Sequence, residues 1–370
     1  MSIKHRPVKN SLFLTGFFIL VALTGCESPS TSSIVFSGET MGTTYHIKIS
    51  SESNQESIAL LKQGVDELLV GVNQIFSTYI ATSEVSKFNK NRSIEASKQS
   101  MALISLLEEA FRISNMTDGA YDVTVGPLVN LWGFGPEFKE EDVPSEQEIL
   151  DTLKNIGYTK VVLDADRQTI KKLNPRIYID FSSIAKGYGV DQVASYIEAK
   201  GYVNYMVEIG GEMLVRGINE EQTKWRIAVE KPDASGRSIH RIINVTDTAI
   251  ATSGDYRNFF EKDGMRFSHT INPKTGKPVQ HDLAAVTVLA DKSMTADAWA
   301  TAFMVLGGKK GYDLAIENDI AVLFLIKEGD NLKEMMTPSF KAELNEQNVS
   351  SVHMKFMPIE HKTINEGYSS

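Results

Sequence analysis

The chain has 370 residues, 42% hydrophobic and 23% charged, enough for one large domain or two ordinary ones with their own cores. Its net charge of −9 excludes a sequence-independent nucleic-acid binder, which needs a basic surface to displace counterions from phosphates; a small anionic ligand needs only a local cluster of donors. Cys26 is the only cysteine, so no disulfide forms within the chain.

Residues 1–25 read as an export signal. Lys4, Arg6 and Lys9 precede the apolar run SLFLTGFFILVALTG, which is too short for a comfortable membrane span. The segment closes on LTGC, which resembles the lipobox cleaved ahead of a cysteine that then receives a lipid. Cys26 is therefore the expected lipidation site, set against a plain secretory signal with an incidental cysteine. Residues 26–33, which include the polar ESPSTSS, form the lipidated tether, and lipid chains there hold a domain at a surface without spanning it. A single catalytic domain is expected over 34–345 and a tail over 346–370.

IVFSGETMGTTYHIKI, residues 34–49, predicts a strand, a bulge or turn at Met-Gly, and another strand. Ile58, Leu61, Val65, Leu68, Val72 and Ile75 recur at helical spacing and predict a long amphipathic helix. STYIATSEVSKFNKN reads as a polar loop, and residues 101–116 as a helix stopped at TDG. AYDVTVGPLVNLWGFGP reads as irregular, apolar backbone around Trp132, of the kind that lines a pocket. A helix is expected after Pro144 and a hairpin turning at residues 164–167. RIYIDF has strand character, and helix character runs over 190–199. YMVEIGGEMLVRG and KWRIAVEKP read as neighbouring strands, and HRIINVTDTAIATSG adds more. AAVTVLADKSMTADAWATAFMVLGG is a strand, a capped helix and a glycine stop, and IAVLFLIKEG a final apolar strand. This irregular alternation predicts an α+β fold, with mixed or antiparallel sheets and flanking helices in one compact unit, over a doubly wound parallel sheet.

Within the helix over 293–306, Asp297 and Thr301 stand at i and i+4 on one face, hard oxygen ligands suited to Mg²⁺. The competing reading has Thr301 bonding back within the helix and Asp297 in solvent. In SHTINPKTGKPV, His269 near Lys274 and Lys277 is either a proton carrier beside a phosphate or a hydrogen-bonded histidine at a hairpin tip. Asp118 and Asp122 in TDGAYDV bind a ribose hydroxyl or cap turns. IDFSSIAKGYGVD, residues 179–191, joins an acid, small residues, a lysine and glycines, yet fits neither nucleotide-binding glycine fingerprint. No Gly-x-Ser-x-Gly elbow and no Cys/His metal spacing is present. Together these features describe a pocket for a large, partly apolar, phosphorylated ligand.

ETMGTTY, DGAYDVTVGPLVNLWGFG, IDFSSIAKGYGVD, VEIGGEM, TSGDYRNFFEKDG, SHTINPKTGKP and MTADAWATAFMVLG follow the order and approximate spacing of the bacterial FAD:protein FMN transferases. Over nearly the whole mature chain the sequence resembles this ApbE family. The resemblance implies a Mg²⁺-dependent enzyme that splits the FAD pyrophosphate and joins FMN, through its phosphate, to a threonine or serine hydroxyl of a target protein. It implies work at the periplasmic face of the inner membrane, on flavin-bearing subunits of the sodium-pumping quinone reductase or a related electron-transport complex. Residue by residue, Met41, Tyr79, Asp118, Gly119 and Ala120 match flavin-contacting positions, Asp180 and Lys186 ligand-binding positions, and Ile271 a nucleotide contact. Ser183, through its backbone carbonyl, and Asp297 and Thr301 match metal positions. His269 is the candidate for proton handling, with Asp180 the competing base. Two rivals remain: a Mg²⁺-dependent FAD pyrophosphatase releasing FMN and AMP, and a non-catalytic FAD-binding lipoprotein.

Overall fold

The computed structural model describes residues 32–51, 57–135, 143–232, 238–255, 259–262, 264–329 and 331–344. The expected signal, Cys26 and the tail after 345 lie outside the described residues. β1 (Ser32–Thr40) and β2 (Thr43–Ser51) form a hairpin whose turn, Met41 and Gly42, has φ of 50° and 72°. Two positive φ values in a row match the right-handed twist of the strands they join. α1 (Ile58–Phe76) buries Leu61, Val65 and Val72 as its periodicity predicts, with Leu69 and Phe76 in place of the expected Leu68 and Ile75, while Ile58 is exposed.

The stretch expected to be a polar loop contains α2 (Glu84–Lys90), started by Ser83 Oγ, which accepts from the Ser86 N–H at 3.1 Å. Seven residues are too few to show a period. β3 (Ser97–Lys98) and α3 (Met101–Met116) follow. The stretch expected to be irregular holds α4 (Gly126–Leu131), with proline in its first turn, where its missing N–H costs nothing. α5 (Glu146–Leu153) opens on a reciprocal Ser145–Glu148 capping box. β4 (Val161–Asp164) and β5 (Thr169–Lys172) make the expected hairpin, joined by β3.

Residues 176–181, expected as strand, pair with no strand, and α6 (Ala185–Ala199) begins at Ala185 rather than at residue 190. β6 (Tyr205–Ile209) and β7 (Glu212–Arg216) flank a Gly210–Gly211 turn. β8 (Trp225–Glu230) pairs with β9 (Ile239–Val245) in a separate ribbon and is no ladder neighbour of β7. β10 (Thr248–Gly254), the hairpin of β11 (Phe259–Lys262) and β12 (Met265–Ser268), and β13 (Leu283–Ala290) come next. α7 (Ser293–Leu306), α8 (Gly308–Glu317), β14 (Ala321–Glu328) and β15 (Asn331–Met336) complete the described chain, so β14 is not the final strand.

One eight-stranded antiparallel sheet, in the order β1-β2-β6-β7-β10-β13-β14-β15, organises the molecule. One face meets the main helices in a core that includes Ile47, Leu69, Val193, Ala251 and Phe303; the other meets the β8–β9 ribbon around Trp225, Ile243 and Leu325. β13 is buried from Leu283 to Leu289 because both its faces are covered, which is why it reads as an unbroken apolar run. A third, smaller core of Leu128, Trp132, Ile149, Phe260, Phe267 and Ile271 supports the loops at one end of the sheet.

Candidate active site

A cleft of about 460 Å³ opens beside the Gly210–Gly211 turn, a volume suited to a small-molecule ligand. Of the residues singled out from sequence, Tyr79, Ala120, Asp180, Ser183, Lys186, His269, Ile271, Asp297 and Thr301 line it. Met41, Asp118 and Gly119 do not. Met41 sits in the β1–β2 turn, its Cε close to Gly189 on α6. The Asp118 carboxylate is exposed and pairs with Lys274 at 2.5 Å, tying its turn to the loop after His269. Asp122 also lines the cleft and caps a turn there: its oxygens accept from the Thr124 N–H and hydroxyl and from the Tyr158 N–H at 2.7–2.8 Å.

The floor is built where α6 crosses α7. Gly187 lets the two backbones touch: a Cβ there would lie 2.4 Å from the Ser293 carbonyl oxygen. Its N–H, which a regular first turn would direct to the Ser183 carbonyl four residues back, donates instead to Asp297 Oδ2 at 3.0 Å. Among the described residues no backbone hydrogen bond ends on the Ser183 carbonyl. The Ser183 hydroxyl meets the Tyr121 hydroxyl at 3.0 Å, while its carbonyl is left without a backbone partner.

Asp297 is buried, and Thr301 makes no bond back to it, in contrast to Ser114 and Thr117, whose hydroxyls reach the Ala110 and Ile113 carbonyls at 2.8 Å. The pair on α7 therefore faces the cleft. Among the described residues no group of three or more His, Cys, Asp or Glu side chains could hold a metal ion. A carboxylate, a hydroxyl and a carbonyl are a different set, one that suits a hard cation keeping part of its shell for water and phosphate. Electrostatics points the same way. Lys186 is ion-paired with Glu212 at the floor. Burial opposes its charge, but the Glu212 and Asp297 carboxylates outweigh burial and hold Lys186 above the ordinary lysine range. Burial likewise pushes Asp180, Glu212 and Asp297 upward, with Lys186 opposing it at the last two. The one ammonium of Lys186 is thus shared between the Glu212 and Asp297 carboxyl groups, so a further cation would favour a pyrophosphate entering here.

Several supporting residues escaped the sequence reading. Asn89, at the end of α2, brackets Ile179: its Nδ2 donates to the Ile179 carbonyl and its Oδ1 accepts from the Ile179 N–H, both at 2.8 Å. That bracket, with the Asp180 N–H donating to the Val123 carbonyl at 2.8 Å, holds Asp180 without a strand. Lys172 is buried and fastens the end of α2 by donating to the carbonyls of Phe88 at 2.7 Å and Asn91 at 2.9 Å. Asp191 caps α7 from α6, accepting from the Ser293 and Met294 N–H groups at 2.8 and 3.0 Å, where α7 has no cap of its own. Burial raises Asp191 to about 6. Glu212 left a trace in sequence, inside the glycine-rich VEIGGE, and Asp191 closes IDFSSIAKGYGVD; Asn89 and Lys172 act through contacts between distant segments.

The chain matches the ApbE family over residues 41–324. It is 45% identical over 333 residues to the FAD:protein FMN transferase of Vibrio cholerae, covering 90% of this chain and 99% of that one. It is 42% identical to the enzyme of the same name from Haemophilus influenzae, covering 87% and 94%. The solved flavin transferase ApbE from Vibrio cholerae superposes with a TM-score of 0.79 at 44% identity, covering 85% of this chain and 100% of that one. The apo flavinyl transferase ApbE from Pseudomonas stutzeri superposes with 0.78 at 36% identity, covering 85% and 97%. With every residue that lines the cleft inside the matched span, this chain belongs to the ApbE family and is a transferase.

Proposed function

We propose that this protein moves the FMN half of FAD onto a serine or threonine hydroxyl of another protein, with Mg²⁺ as cofactor and AMP as leaving group. The observation that carries this reading is the meeting, in one cleft, of the Asp297, Thr301 and Ser183 oxygen donors with Lys186, Asp180 and His269. The name shared by the relatives supports it. The hydroxyl oxygen attacks the phosphorus of the FMN half, the bond from that phosphorus to the bridging oxygen breaks, AMP leaves with that oxygen, and the hydroxyl proton passes to a base. Mg²⁺, when bound by Asp297, Thr301 and the Ser183 carbonyl, supplies positive charge against the pyrophosphate. Lys186 adds a fixed cation that needs no rearrangement as charge builds on the phosphate. In this reading His269, which lines the cleft edge-on to Phe134 with ring centroids 6.4 Å apart, takes the proton. Asp180 is the alternative base, its burial moving it toward the range where a carboxylate works as one.

The test is incubation with FAD, Mg²⁺ and a threonine-bearing flavin subunit of the sodium-pumping quinone reductase, read by in-gel flavin fluorescence and intact mass. A fluorescent acceptor band heavier by one FMN residue, with AMP released one for one, is expected. Free FMN and AMP without a labelled band would mean hydrolysis, and intact FAD throughout would mean a binding protein. We infer further, from LTGC alone, that Cys26 is lipidated and holds the protein at the periplasmic face of the inner membrane. Cys26→Ser should move it to the soluble fraction; retention with membranes would refute the anchor.

A further inference from the structure

The large sheet is stepped beside the cleft. β10 pairs with β13 as far as Gly254 but with β7 only as far as Ile250, because β7 starts at Glu212 and the chain turns away at Gly210–Gly211. The direction of the peptide groups past that step follows from antiparallel alternation. The Asp255 N–H donates to the Ala284 carbonyl at 3.2 Å, so odd-numbered residues of β10 bond to β13 and even-numbered ones to the other side. The β7 side agrees. The two-residue turn makes Ile209 and Glu212 a bonded pair, which leaves Met213 and Val215 to face Ile250 and Thr248. Thr252 and Gly254 thus aim N–H and C=O groups past the end of β7, where no described residue pairs with them.

Thr252, Ser253 and Gly254 all line the cleft, although successive strand residues point their side chains to opposite faces. The Thr252 hydroxyl, for instance, meets the Thr287 hydroxyl across the β10–β13 ladder at 2.9 Å. A cleft that touches three residues in a row meets the strand edge-on.

We propose that this edge is the acceptor subsite: the segment of the target protein that carries the modified hydroxyl lies along Thr252–Gly254 as an added strand. The proposal rests on the transferase reading above. A protein hydroxyl must enter a cleft of about 460 Å³ that FAD also occupies. A helix, roughly 10–12 Å across with its side chains, is too wide to enter beside the nucleotide. A strand adds at about 4.8 Å from the edge and is held by main-chain bonds whatever its sequence. Alternate side chains of an added strand would project toward α7, which carries Asp297 and Thr301, and His269 shares that cleft. The free edge is short and sits in a cleft, which guards it against indiscriminate pairing.

Amide hydrogen exchange, resolved by residue with NMR on the whole protein, tests this. FAD is added first with EDTA, so that it is not consumed, and then the acceptor subunit labelled in the assay above. The Thr252 and Gly254 amides should slow by about tenfold or more on addition of acceptor and not with FAD alone, consistent with each gaining a hydrogen bond. Slowing with FAD alone would assign the edge to the nucleotide and overturn the proposal, as would no slowing with an acceptor that becomes labelled once Mg²⁺ replaces EDTA. Absence of any labelled subunit would remove the transferase reading and this proposal with it. Thr252→Pro deletes one cleft-side N–H without deleting a bond to β13, a position where proline is tolerated. It should raise the acceptor KM by about tenfold; an unaltered KM in the folded variant would also overturn the proposal.

Discussion

Gly187→Ala inserts a methyl group where α6 and α7 touch. The new Cβ would lie 2.4 Å from the Ser293 oxygen, 2.5 Å from the Ser293 carbonyl carbon and 2.6 Å from Met294 Cα. Ordinary contact needs about 3.5–4.0 Å. All three atoms are backbone, so no flexible side chain can yield and the helices must part by about 1 Å. Overpacking of this kind costs roughly 1–3 kcal/mol, which lowers the Tm by several degrees. The larger effect is on activity. The Gly187 N–H holds Asp297 Oδ2 at 3.0 Å, so the same displacement moves the carboxylate relative to Ser183 and Lys186. A misplacement of about 1 Å costs on the order of 10²-fold in rate. The assay is the initial rate of acceptor labelling across a Mg²⁺ titration, with thermal denaturation of the same samples. Gly71→Ala is the control: it stands exposed on α1 with nothing within 4 Å of a Cβ, and should stabilise by about 0.5–1 kcal/mol. A Gly187→Ala protein with the parent Tm, rate and Mg²⁺ dependence would refute the claim that this contact sets the metal face.

Asp297→Ala should reduce Mg²⁺-dependent labelling far more than FAD retention, and an unchanged response across the titration would defeat its assignment to the metal. His269→Ala should slow labelling by roughly 10²–10⁴-fold with FAD still bound, measured by flavin fluorescence; loss of FAD would place the residue in the binding pocket instead. Asn89→Ala orphans the buried Ile179 N–H and C=O, at about 1–3 kcal/mol each, so the urea midpoint should fall and labelling with it. Wild-type labelling at a lowered midpoint would show that the bracket does not set Asp180. Asp191, raised by burial from 3.8 to about 6, binds its proton more tightly folded than unfolded. Its contribution is therefore greatest below about pH 4 and is lost as pH climbs through 6, by up to about 3 kcal/mol. Urea midpoints at pH 4 and 7 should show a shallower change in Asp191→Asn; equal changes would contradict the assignment.

The elements legible in sequence are those whose period is long or whose faces differ. α1 shows its stripe over nineteen residues, and β1 and β2 announce their turn with Met-Gly. α2 and α4 were hidden because seven and six residues give too little repetition to separate a helix from a loop. The start of α6 was hidden because its first residues, Ala185 to Gly189, are chosen for contact with α7 and the cleft rather than for helix propensity. RIYIDF looked like a strand because its alternation buries Ile177, Ile179 and Phe181, yet its backbone bonds go partly to the side chain of Asn89. In the site, Asp297 and Thr301 could be paired by spacing alone because one helix carries both. Asn89 with Ile179, Asp191 with α7 and Gly187 with Ser293 are separated by 90 or more positions, and a single sequence holds no sign of such partners.

The strand that opens the described chain also fixes a working distance. β1 enters the sheet at Ser32, opposite Ser51, and runs nine residues to the turn at Met41 and Gly42. That turn lies at the cleft end of the sheet, where the Gly210 N–H donates to the Thr44 carbonyl. At about 3.3 Å per residue, the point where the chain enters the fold and the place where chemistry would occur stand some 30 Å apart. A chain tethered ahead of Ser32 would therefore work at the length of one hairpin from the point where its fold begins.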